Sequence, residues 1–154
     1  MIMITIAFLL LRVTIACLFL APLKKFLTHW KFTVNMVGTV LPFHPFFSAM
    51  VMIGVMFFGA IFILLGFYAQ IAAIFLAAFC LIGAYAHRVY VKQLQAMHLE
   101  AQASPADQKI LNDAKRLGIV GNVTSGQKNI VIAVVLIFIF LVGSGPYSVT
   151  GDLF

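Results

Sequence analysis

Four long apolar stretches, separated by polar or proline-broken links, fix the solvent in which this chain can fold. They begin near Ile2, Phe46, Ile71 and Ile130. A helix crossing about 30 Å of hydrocarbon needs about 20 residues at about 1.5 Å each, and the first three stretches approach that length. Of the 154 residues, 64% are hydrophobic and only 9% charged, whereas a soluble domain carries roughly a quarter charged residues to cover its wet surface. The chain reads as all-α: an integral membrane bundle of four transmembrane helices, with no length left for a second soluble domain.

The first stretch, Ile2 to Leu20, lacks the basic n-region and small-residue cleavage site of a secretory signal, and Arg12 interrupts its middle. It reads as a retained helix. With Pro22 near its end and Lys24 and Lys25 snorkelling toward water, the span covers about residues 2–23. His29-Trp30-Lys31-Phe32 reads as interfacial. The stretch from Gly38 to Pro45, broken by Pro42 and Pro45, is expected along the bilayer surface or shallowly re-entrant, not as a continuous helix.

The second span is expected over 46–66 and the third over 70–87, joined by the uncharged turn Phe67 to Gln70. A link that short makes them antiparallel neighbours. Small residues such as Gly54, Gly59, Ala72, Ala73, Ala77 and Gly83 mark places for close backbone approach, on which packing in lipid depends. Cys17 and Cys80 lie in apolar runs and read as small hydrophobes.

Residues 88–128 form a polar segment, expected to be partly helical and cytoplasmic. His98 to Ala101 and Ala106 to Leu117 read as helical, and the third helix is expected to extend past the membrane as far as Glu100. Ser104-Pro105 resembles a cap followed by a first-turn proline, with Asp107 near the N-terminus of a helix that Gly118 would stop. Residues 119–127, with Gly121, Asn122 and Gly126, read as a flexible link. The fourth span, about 129–149, has an apolar core of only Ile130 to Val142. It reaches full length only if its end is irregular or protein-covered.

Charge placement tests this map. Nine of the ten Lys and Arg residues fall in the link after the first span or in the long polar segment, which four crossings put on one side. The positive-inside rule makes that side cytoplasmic, leaving both termini and the Phe67 to Gln70 turn outside a plasma-type membrane. The net charge of +6 then faces anionic lipid, which suffices to explain it. No basic fold or aromatic platform for nucleic acid is present.

Arg12 is the remaining cation. An arginine at the centre of a span costs roughly 2.5–3.5 kcal/mol on insertion scales, and the spans contain no Asp or Glu. Its partners are then backbone carbonyls, hydroxyls such as Thr5, Thr14 or Tyr85, an anionic or quinone-like ligand, or a carboxylate of another subunit; snorkelling is the plainer alternative. His29, His44, His87 and His98 project from the basic side, and no motif pairs two of them for haem or marks a metal site. Phe57, Phe58, Phe62, Phe75 and Phe79 fill space or line a planar apolar ligand. The run from Tyr85 to Tyr90, with His87 and Arg88, either meets a quinone headgroup or forms an aromatic anchor belt together with residues like Trp30. No dinucleotide fingerprint, P-loop or nucleophile–base constellation is present.

Leu10-Leu11-Arg12-Val13 followed by Pro22-Leu23-Lys24-Lys25-Phe26, then Gly59 to Ala73 and Ala84-Tyr85-Ala86-His87, resemble the DoxX-like family of small four-helix membrane proteins. That family includes the DoxD-type subunit of thiosulfate:quinone oxidoreductase. The resemblance covers roughly residues 2–87. It implies that Arg12, Lys24 or Lys25, the glycine-rich end of the second span and His87 are the family's recurrent positions. The family usually carries a glutamate near the start of the glycine-rich part of the second span, where this chain has Ile53 to Phe58 without an acid. That departure removes an obvious partner for Arg12 and an obvious proton carrier. Two roles follow. One is an accessory or structural subunit among other integral membrane subunits of an oxidoreductase or respiratory-type assembly, with no intrinsic cofactor and with bound lipid. The other is a quinone-interacting component of such an enzyme.

Overall fold

The structure is a computed structural model and describes residues 2–97, 104–143, 145 and 148–150. Among them the helices are α1 (Ile2–Leu20), α2 (Leu23–Thr28), α3 (Trp30–Val40), α4 (Pro45–Leu65), α5 (Ala69–Ala96) and α6 (Pro105–Val142). Four helical stretches, Met3–Thr28, Pro45–Leu65, Ala69–Ala96 and Ala106–Val142, are long and apolar enough to cross a membrane. Only 17–44% of each apolar window is buried within the protein. The rest is an oily outer surface that only lipid or another membrane protein suits. The chain is thus an all-α membrane protein with four spanning helices.

The chain divides into two compact units. The first, residues 1–79 and 133–154, contains α1 to α4, the beginning of α5 and the end of α6. Phe8 of α1 stacks on Phe138 of α6 with ring centroids 6.3 Å apart, and Phe19 meets Phe79 of α5 edge-on at 6.0 Å. Gly59 of α4 lets Leu76 approach so closely that a Cβ there would lie 2.8 Å from Leu76 Cγ, the backbone proximity that packing in lipid favours. The segment after α1 is more helical than expected. Pro22 ends one helix and begins another, and Thr33 at the start of α3, fully buried, donates to Phe26 O at 2.9 Å and so ties α3 to α2. Gly38 to Val40 belong to α3, and the proline-broken link is confined to 41–44. Pro45 then takes the first turn of α4, where its missing N–H costs nothing.

The second unit, Cys80–Ile132, holds the end of α5 and most of α6. Contacts run from Gly83 with Asn129, through His87 with Asn122, to Gly118 with Leu94, so the two helices are antiparallel. Ser104 caps α6 as expected: its Oγ accepts Asp107 N–H at 3.2 Å and donates to the Asp107 carboxylate at 2.7 Å. Two expectations fail here. Gly118 does not stop the helix, and 119–127 is not a flexible link; α6 runs unbroken from Pro105 to Val142, 38 residues in all, about 57 Å at the standard rise. Gly118, Asn122 and Gly126 are spaced four apart on the α5-facing side, and a Cβ on Gly118 would lie 3.2 Å from Leu94 Cδ1. These glycines serve close helix approach, and that packing offsets their propensity cost of about 1 kcal/mol each. The predicted helical stretch His98 to Ala101 lies outside the described residues.

Candidate functional site

Two polar sites emerge, one in each unit. In the first, α4 ends in a Schellman arrangement: Gly66, at φ 68°, donates N–H to Ile63 O at 3.1 Å, and Phe67 N–H reaches Phe62 O at 2.9 Å. Tyr68, also left-handed at φ 43°, gives its N–H to Thr150 Oγ1 at 2.9 Å, so it is withheld from the Leu64 carbonyl that a continuing helix would satisfy. Arg12 fills that gap. Its Nε donates to Ile63 O at 2.9 Å and its Nη2 to Leu64 O at 2.7 Å, and the residue is only 3% exposed. A guanidinium at the last carbonyls of a helix also complements the negative end of its dipole.

The C-terminal tail closes over the same turn. Ser148 Oγ donates to Gly66 O at 2.5 Å and Thr150 Oγ1 to the same oxygen at 3.2 Å. Gln70, buried at the start of α5, donates Nε2 to Phe140 O at 3.0 Å. Glycine at 66 is required twice, by its positive φ and by space: a Cβ would lie 2.8 Å from Ser148 Cα and 2.9 Å from Arg12 Nη2. Of the partners open to Arg12 from sequence, the structure supplies backbone carbonyls. It sets Arg12 at the level where α4 ends.

In the second unit a cleft of about 430 Å³ opens between α5 and α6. Its polar wall includes His87, Arg88, Lys92 and Asn122, and its apolar wall Ala84, Val91, Val123 and Ile130. His87 Nδ1 lies 2.8 Å from Asn122 Oδ1, while Asn122 Nδ2 donates to Gly118 O at 2.9 Å. That second bond orients the amide so that Oδ1 is the acceptor, which assigns the proton to Nδ1 and leaves Nε2 as the imidazole's other polar atom. Lys115 donates to Gln95 O at 3.3 Å and Met97 O at 2.8 Å, closing the C-terminus of α5.

The structure therefore brings His87 and Arg88 onto one cleft and sets Arg12 in a different unit. Tyr85, 61% exposed, does not line the cleft. Lys24 and Lys25 are exposed on α2, and Trp30 packs edge-on against Phe46 at 5.4 Å. Among the described residues no group of three or more His, Cys, Asp or Glu side chains is placed to hold a metal. Sequence reasoning missed Gln70, Ser148 and Thr150, which no spacing rule singles out. It also missed Asn122, whose four-residue offset from Gly118 and Gly126 was a legible sign of a shared helix face.

In comparison with known proteins, the family model described as DoxX matches residues 7–88, from α1 through Arg88 at the edge of the cleft. No curated protein and no solved structure matches the chain.

Proposed function

The chain belongs to the DoxX family, and from that premise we propose that it is an accessory, structural subunit of a larger integral membrane assembly of oxidoreductase or respiratory type. The observation that carries this reading is how Arg12 is used. Its Nε and Nη2 are committed to the carbonyls of Ile63 and Leu64, so the most conspicuous charge in the spans acts as an internal staple between α1 and the α4–α5 turn. A residue recruited to bind and turn over a quinone would need those donors for the ligand. Here they hold the end of α4.

The apolar exterior supports contact with other membrane subunits. Large side chains such as Phe46, Phe58, Phe75 and Leu141 are 57%, 58%, 60% and 69% exposed, and an intramembrane partner packs against such faces as readily as lipid does. In this reading the basic link and the hairpin of α5 and α6 lie at the cytoplasmic surface of the plasma membrane, with both termini outside.

Gentle purification from native membranes tests the proposal. The accessory role predicts a stoichiometric larger complex whose visible spectrum is unchanged when this chain is removed. Loss of quinone-dependent turnover in an Arg12→Ala variant that still assembles would instead establish the quinone-interacting role.

A further inference from the structure

We propose that the cleft between α5 and α6 is a phosphate-anion site that seats the headgroup of an anionic membrane phospholipid. This assignment is independent of the accessory role, since it rests on the second unit alone.

Four observations carry it. The volume, about 430 Å³, lies in the range of roughly 300–1,000 Å³ that small-molecule sites occupy. Arg88 and Lys92 stand one helical turn apart on its wall, and no aspartate or glutamate is among the lining residues, so the local field is of one sign. Both cations are exposed. They attract an anion without having been desolvated beforehand. Hydrogen-bonding groups stand beside them: the side-chain amides of Gln95 and Gln127, whose N–H groups can donate to a phosphate oxygen, line the cleft.

The apolar wall distinguishes a lipid from a free phosphate. Ala84, Val91, Val123 and Ile130 line the same cleft, and the cleft spans the point where both helices change character. On α5 the residues from Ala69 to Ala86 carry no charge and Arg88 is the first cation; on α6 Lys128 is the last, and Asn129 to Val142 carry none. A ligand with an anionic end and an acyl end matches that polarity. Basic residues at this depth are where anionic lipid is held.

The test uses the full chain purified in mild detergent and transferred to nanodiscs, with bound lipid read by native mass spectrometry. Phosphatidylglycerol is compared with phosphatidylcholine of identical acyl chains, and inorganic phosphate serves as the soluble probe. Phosphatidylglycerol is expected to stay bound where phosphatidylcholine is lost. An Arg88→Gln/Lys92→Gln variant is expected to lose about thirty-fold in that preference, from the usual worth of two basic residues near an anionic surface. Lys128→Gln, which removes a boundary charge outside the cleft lining, is expected to leave the preference intact, and unchanged helical content in every variant excludes misfolding. Equal retention of the two lipids would overturn the proposal. So would an effect of Lys128→Gln as large as that of the double variant, which would mean diffuse attraction. Displacement of phosphatidylglycerol by millimolar inorganic phosphate would overturn the lipid source in favour of a soluble phosphate.

Discussion

Replacing Arg12 by alanine removes the donors that satisfy the end of α4. Ile63 O retains Gly66 N–H, but Leu64 O loses the Arg12 bond, and the amide that could replace it, Tyr68 N–H, is held by Thr150. A hydrogen bond to a charged group contributes about 1.5–3 kcal/mol, and stranding a carbonyl costs about 1–3 kcal/mol, toward the low end for the part-buried Leu64 O. Polar contacts in lipid fall toward the low end of such ranges because the unfolded chain in the membrane also finds partners. The expected loss is therefore about 3 kcal/mol, on the order of a hundredfold in the unfolding constant. Arg12→Lys, which keeps the charge but not the two-pronged geometry, is expected to lose about half as much. Reversible unfolding in mixed micelles, followed by steric trapping or denaturing detergent titration, measures both. A loss below about 0.5 kcal/mol for Arg12→Ala would refute the staple. So would equal stability of the alanine and lysine variants.

Three further outcomes follow from the same geometry. Gly59→Ala should destabilise by about 1–3 kcal/mol through overpacking against Leu76, while Gly54→Ala, with nothing within 4 Å of its Cβ, should be nearly neutral; the pair is read by the same unfolding assay. Ser148→Ala should cost about 0.5–1.5 kcal/mol by removing the bond to Gly66 O, and hydrogen exchange at the α4–α5 turn should rise in step. Asn122→Ala should release the Nδ1–H tautomer of His87, visible as altered imidazole nitrogen shifts in NMR spectra; unchanged shifts would contradict the bond.

How much of this was legible depended on whether a residue's environment is set by its own stretch or by a neighbour. The helix expected from about Phe46 to Gly66 was readable to within a residue of α4, Pro45–Leu65, because Pro45 and Gly66 punctuate it locally, and the start of α6 because Ser104 and Asp107 form a local cap. Arg12 was legible as important but not in its depth: counting along α1 alone puts it mid-span, whereas its surroundings come from the place where α4 stops. Gly118 misled for the same reason. A glycine after a run of helix formers reads as a stop unless the partner helix is known, and here Leu94 makes it a contact surface. The tail hydroxyls of Ser148 and Thr150 acquire meaning only from a carbonyl about eighty positions earlier, at Gly66, which no local pattern encodes.

Four crossings would gather the positive charges of this chain at one surface. Single cysteines introduced at Lys24, Tyr68 and Lys92, in a background with Cys17 and Cys80 replaced, and probed with a membrane-impermeant thiol reagent on sealed vesicles of known orientation, measure this directly. Positions 24 and 92 are predicted to react from the same, cytoplasmic, side and position 68 from the other. Reaction of 24 and 92 from opposite sides would contradict it.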